Sequence, residues 1–129
     1  MKPVTREWIE KAEGDFVSAG REYRARKLPN FDAACFFAQQ CIEKYLKARL
    51  VEANVVFPKT HDLEALLDRV LSAQPLWEAF RADLGDLTSF ATSFRYPGES
   101  ASREMACMAV RNAGRIRTRI RQDMGLPSC

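Results

Sequence analysis

The segment Phe31 to Leu50, FDAACFFAQQCIEKYLKARL, places Gln40, Lys44 and Lys47 at spacings of four and three. A helix sets residues at that spacing on one side. They border an apolar face of Phe31, Ala34, Ala38, Cys41, Ile42, Tyr45, Leu46 and Leu50. An amide and two cations beside a core need partners, because burying an unpaired polar group is costly. The partners are the chain's own carboxylates, a second subunit or a phosphate-bearing ligand. Glu43 stands four before Lys47, which accounts for part of Lys47 as a pair on the helix surface. Gln40 and Lys44 are less easily explained.

His61 is the only histidine in the chain. Imidazole is the one side chain that ordinarily titrates near neutrality, so it is the natural candidate for an acid or base. It stands in Thr60-His61-Asp62, at the expected start of a helix. A helix N-terminus disfavours the imidazolium and Asp62 favours it. The alternative is a histidine bonded to a neighbouring helix, with the tripeptide acting as a cap. Arg95 and Tyr96 precede Pro97, which biases Tyr96 towards extended backbone. The pair should project from a turn, the arginine suited to phosphate and the tyrosine to stacking. Here the alternative is Arg95 paired with Glu99 or with an acid on another helix, and Tyr96 covering the end of the core. A last cationic feature is Arg111, Arg115 and Arg119 at spacing four, flanked by Arg117 and Arg121. Such a stripe tracks phosphates, lines a solvated face or forms a dimer contact.

The elements that must position these residues read as helices. The first runs from Thr5 to Arg26, with Trp8, Ala12, Phe16, Ala19 and Tyr23 inward. The second covers Phe31 to Ala53, with Asn30 as its cap. The third starts at Thr60 and runs to Ala73. A fourth helical region spans Leu76 to Phe94, with an interruption near Gly85. Ser100 or Ser102 caps the last, which ends near Met124 before Gly125 and Pro127. There is no β-alternation and no repeat. The expected fold is all-α: an antiparallel up-and-down bundle of four to five helices, one domain over residues 1–129.

Composition limits the function classes. A chain 47% hydrophobic and 29% charged is globular. A net charge of +3 excludes a strongly basic nucleic-acid coat but permits a local basic patch. Cys35, Cys41, Cys107 and Cys129 form no CxxC pair, so no zinc or redox motif is indicated and reduced, buried thiols are expected. No metal or cofactor is expected. The N-terminal stretch has no apolar core of the kind a signal peptide needs, so none is expected, and no apolar run is long enough to span a membrane. A cytoplasmic protein is the expectation.

The blocks FFAQQCIEKYLKA, FPKTHDLEALL and FRYPGE, in that order, resemble the HEPN family (higher eukaryotes and prokaryotes nucleotide-binding domains). Tyr23 closing the first helix and an alanine-rich last helix extend the resemblance over nearly the whole chain. It implies a small helical bundle, often homodimeric, frequently encoded beside a minimal nucleotidyltransferase in toxin–antitoxin-like modules. Some members are metal-independent ribonucleases carrying Arg-x4–6-His near the start of the last helix. This chain departs from that motif. Asn54, Val55 and Val56 stand where an arginine would precede His61, and no histidine follows Arg95 or Arg103. The related Arg-x4-x-Tyr pattern fails too, since Val17, Gln39 and Phe90 stand six before Tyr23, Tyr45 and Tyr96.

The reading is therefore a homodimeric module that binds nucleotide or single-stranded RNA. Gln40, Lys44, Lys47, His61, Arg95 and Tyr96 would line the site, with a minimal nucleotidyltransferase as protein partner. Two alternatives stay open. One is a divergent ribonuclease with His61 as base and Arg95 stabilising charge; the other is a structural or antitoxin-like subunit without ligand.

Overall fold

The computed structural model describes residues 1–94 and 96–127. Among them are five α-helices and no strand: α1 (Pro3–Arg24), α2 (Phe31–Glu52), α3 (Leu63–Val70), α4 (Arg81–Thr88) and α5 (Arg103–Asp123). Short 3-10 turns, Pro75–Phe80 and Ser89–Ala91, flank α4. The fold is an all-α helical bundle. Arg95, Ser128 and Cys129 lie outside the described residues.

Helix α2 is the axis. Its buried residues include Ala34, Cys35, Ala38, Cys41, Ile42, Tyr45, Leu46, Ala48 and Leu50, so it is covered on most sides. Small residues explain how α1 approaches it closely: Ala12, Ala19 and Gly20 on α1 are buried, as are Ala34, Ala38 and Ala48 on α2. The pair is antiparallel. At one end the Thr5 hydroxyl donates to Glu52 Oε1 at 2.9 Å, joined there by the Lys2 backbone N–H. At the other, the Tyr23 and Phe31 rings lie 6.4 Å apart. Thr5, the expected start of the helix, is thus a tie between helices inside it; Pro3 opens α1 at a position where its missing N–H costs nothing.

Helix α5 runs alongside α2 in the same sense. The Ala101 N–H reaches Asp32 at the start of α2, and Arg121 reaches Tyr45 further along it. Ser102 supplies its N-cap, accepting from the Met105 N–H. After α2, Asn54 adopts a left-handed conformation (φ +61°) and the chain turns back down the flank of that helix. It reaches the level of Gln39 and Glu43 before α3 begins, and Gln74, beyond α3, returns to Arg49.

Two boundaries differ from the sequence reading. Helix α3 is shorter than Thr60–Ala73 because Asp62 is its cap, accepting from the Glu64 and Ala65 N–H groups; Thr60 instead accepts from the Asp62 N–H. Gly85 does not interrupt α4. It lies inside the helix, where a Cβ would come 3.1 Å from the Glu64 carboxylate, so glycine permits α3 and α4 to pack.

Trp77 is fully buried, and its indole N–H donates to Asp123 Oδ2 at 2.6 Å. Trp77 fills the core of a single chain, with Phe80, Phe90 and Phe94 packed against that core.

A polar knot ties the three long helices. The Arg117 guanidinium donates through two nitrogens to the Glu13 carboxylate, each at 2.6 Å, and stacks 4.5 Å over the Phe16 ring. The Tyr45 hydroxyl donates to Glu13 and accepts from Arg121 at 2.9 Å. Burial pushes the Tyr45 hydroxyl well above its ordinary value, and the bond to Glu13 adds to that, so the phenol stays protonated as a donor. Tyr45→Phe should keep the packing but remove one acceptor from Arg121, which retains the Pro127 carbonyl, and leave Glu13 short of a donor. We expect a loss of about 1–3 kcal/mol in urea unfolding at pH 7.

Candidate functional site

The site is built on one carboxylate. Glu43, on α2, is almost sealed from solvent, and four side chains converge on it. Gln39, one turn earlier on α2, donates to Oε1 at 3.1 Å. Lys47, one turn later, donates to Oε2 at 3.0 Å. His61 Nδ1 lies 2.7 Å from Oε1, and Gln40 approaches the same oxygen at 3.4 Å. Burial alone would push this acid up. The bonds from His61, Gln39 and Lys47 outweigh that and hold Glu43 below the ordinary carboxylate range. An ionised Glu43 accepts all four contacts.

Gln39 fixes the loop as well as the acid. Its amide also donates to the His61 backbone carbonyl at 3.2 Å, and its oxygen accepts from Gln40 at 2.7 Å. His61 is therefore held through both backbone and ring. The far edge of the ring remains open: the side chain is 59% exposed, and Nε2 has no hydrogen-bond partner among the described residues.

The Lys47 ammonium, buried but for a sliver, lies 5.7 Å from the Trp8 ring and 5.9 Å from the Phe57 ring. Trp8, Lys47, Phe57, Lys59, Thr60 and His61 line a cleft of about 470 Å³ between α1 and the α2–α3 loop. It combines two aromatic rings, cations and one imidazole with a free edge. Stacking on a base, contact with phosphate and hydrogen bonding to a ligand are all within its chemistry.

Of the residues read from sequence, Gln40, Lys47 and His61 meet at Glu43. Lys44 does not join them; it turns towards α1 and pairs with Asp15. Tyr96 is 72% exposed in the turn before α5, and no hydrogen bond links its side chain to the Glu43 group among the described residues. Arg95 lies outside the described residues. The expectation that Glu43 and Lys47 pair on the helix surface is corrected, since both are buried. The arginine stripe is also not a continuous open surface. Arg117 and Arg121 are buried in the knot around Glu13, Arg115 meets Asp83 at 3.2 Å, and Arg119 meets Asp123 at 2.9 Å. Sequence reasoning missed Gln39, Glu43, Phe57 and Lys59 as parts of a site and read Trp8 only as core. The signal available was Gln39, Glu43 and Lys47 at successive spacings of four along the helix.

Because Glu43 binds its proton less tightly when folded, its contribution to stability is complete above its ordinary value of 4.5 and drains away as pH falls below it. Glu43→Gln should therefore flatten the acid limb of the stability curve. Glu13 and Asp123, also held low against burial by their donors, leave part of the slope in place. At pH 7 the variant leaves Lys47 buried and unpaired, and we expect a cost of about 3 kcal/mol in denaturant unfolding. An acid limb of unchanged slope would show that Glu43 is not ionised in the fold.

No curated protein and no solved structure matches the chain. The family model for the HEPN domain matches residues 5–123, from the first turns of α1 to the end of α5. The match covers both helices and the loop that build the cleft. The chain belongs to the HEPN domain family, whose membership supports a nucleotide- or RNA-binding module at the level of the family.

Proposed function

We propose that this HEPN domain binds a nucleotide or single-stranded RNA in the cleft between α1 and the α2–α3 loop. The observation that carries the reading is the cleft's composition: Trp8 and Phe57 beside Lys47, with Lys59 and His61 at the rim. Unstacked bases bind on aromatic faces, and cations beside them take the phosphates. Lys47 is already matched by Glu43, so the added phosphate charge falls mainly to Lys59. Tyr96 is assigned an outer contact, and Arg95, read from sequence as a phosphate contact, stays part of the proposal as its neighbour in the chain. Lys44, neutralised by Asp15, has a lesser part.

The same reading places the protein in the cytoplasm, beside a minimal nucleotidyltransferase in a toxin–antitoxin-like system; the association is the one such HEPN modules frequently have. Homodimerisation draws support from the surface. Met105 and Met108 are exposed on α5. They border a groove of about 380 Å³ that also includes Leu87 and Phe90. If that groove is the contact, Met108→Glu should convert a dimer to a monomer in light scattering at micromolar concentration. A wild-type monomer under those conditions would remove the dimer from the proposal.

One observation favours the second reading, a divergent metal-independent ribonuclease. The Glu43–His61 pair has the arrangement of a carboxylate orienting a general base. The two readings separate in one experiment, with labelled single-stranded RNA and chelator-treated protein. We expect binding without turnover, weakening as salt rises because phosphate contacts release counterions. Trp8→Ala should weaken binding by about five- to tenfold or more, the range for loss of one stacked base. Lys59→Ala should reduce the salt dependence. RNA cleavage that disappears in His61→Ala would establish the enzyme instead. No binding at low salt by the wild type would leave the chain a structural or antitoxin-like subunit.

A further inference from the structure

We propose that the groove at the start of α2, walled by Phe36, Phe37 and Phe94, is a second base-binding subsite, so that one single strand of RNA runs along α2 from the cleft to this groove. The inference rests on the binding reading above and extends it to a second position on the strand.

The groove encloses about 460 Å³ between the first turns of α2 and the turn that follows Ala91. Its walls are aromatic. The Phe36 and Phe37 rings meet edge to face at 5.7 Å, and Phe94 is backed by Phe90 at 5.8 Å. Phe94 has φ +66°. A bulky side chain avoids that left-handed backbone unless its surroundings enforce it, and such residues concentrate where ligands are gripped. Here the strained backbone brings a third ring to the two that α2 supplies.

The rim decides which part of a nucleotide enters. Asp32 accepts the Ala101 N–H at 2.7 Å through one carboxylate oxygen, and its other oxygen has no hydrogen-bond partner among the described residues. That oxygen repels a phosphate and accepts from the amino group of a base. Asn30 accepts the Ala33 N–H at 2.9 Å through its side-chain oxygen, which leaves the amide nitrogen as a donor. An acceptor and a donor beside aromatic faces match the edge and the face of a base.

The two sites lie on one side of α2. Phe36, Gln40, Lys44 and Lys47 follow one another at spacings of four, four and three. Gln40, between the sites, comes within 3.4 Å of Glu43 Oε1. From residue 36 to residue 47 the helix rises about 16 Å, a span of a few nucleotides. Tyr96 follows Phe94 by two residues in the same turn and is exposed, which ties the outer contact to this end of the path.

The test measures affinity for RNA oligomers of increasing length, from a mononucleotide upward, by calorimetry. Affinity should step up by about fivefold or more at the length that first reaches the groove, the worth of one stacked base. In an oligomer of that length, an abasic residue moved along the strand should find two sensitive positions separated by tolerant ones. This series uses the unmodified protein, so it does not depend on how a variant folds. Phe36→Ala, checked by circular dichroism for an intact bundle, should bind the long oligomers no better than the short ones. A single sensitive position, or mononucleotide binding with no step at any length, would sink the second subsite and leave the cleft reading intact. If Phe36→Ala instead lowers the mass in light scattering and leaves the length dependence unchanged, the groove is a contact between copies of the chain and the proposal fails. Binding of neither mononucleotide nor oligomer would remove both readings.

Discussion

Glu43 is a charge placed where water hardly reaches, and much of the arrangement around it follows from the need to satisfy that charge. An isolated buried carboxylate is too costly to keep ionised. Two of its three close donors come from its own helix, one turn either side, where Gln39 and Lys47 are already positioned by the 3.6-residue period, and Gln40 adds a longer contact. Those leave Oε1 able to accept more. The third donor has to come from another segment, and His61 provides it. The chain after α2 therefore cannot simply turn into α3. It first returns along the flank of α2, far enough to bring residue 61 back beside residues 39 and 43, which fixes where α3 begins. The cleft follows from that path: the returning loop carries Phe57, Lys59 and Thr60 past Trp8 and leaves a gap between them.

The opposite side of α2 solves a similar problem in another way. There Glu13, Tyr45, Arg117 and Arg121 satisfy one another across three helices. Buried ionic groups of this kind add little net stability over well-packed apolar residues, but they cannot be matched by a shifted register. A slide of α5 by one turn would part Arg117 from Glu13 and Arg121 from Tyr45 together. The knot closes on itself, with every group facing another protein group. The Glu43 cluster does not, because one edge of the His61 ring is left towards solvent. That difference separates a structural network from a candidate site, although both contain buried cations paired with acids.

The helices were legible because their signals are local. The apolar spacing of α2, Asn30 and Ser102 as caps, and Pro75 as a break all act within a few residues of chain. The convergence of Gln40, Lys47 and His61 was legible only in part, because the common partner was not weighed as a buried acid. From sequence, a Glu four residues before a Lys reads as an ordinary surface pair. Only the packing of Trp8, Phe57 and the returning loop shows that this pair is inside. The same limit applied to the arginines. A spacing of four along α5 says which residues share a face, but not that Glu13, on a helix roughly a hundred residues earlier, draws Arg117 inward.

Internal pairing also determines what kind of ligand contact is left. The chain has twenty lysines and arginines and a net charge of +3. Many of those cations are spent within the fold: Lys44 on Asp15, Lys47 on Glu43, Arg81 on Glu78 and Asp68, Arg117 on Glu13. A cation already matched by a buried acid adds little field for a passing phosphate, and counterion release scales with the phosphates newly neutralised. The surface is thus poorly suited to gripping a polyanion by charge alone. Recognition at the cleft falls mainly to directed contacts, with aromatic faces for bases and the open imidazole edge for a hydrogen bond. Those contacts depend on geometry more than on charge. The buried acid behind His61 and the amide that clamps its backbone supply that geometry.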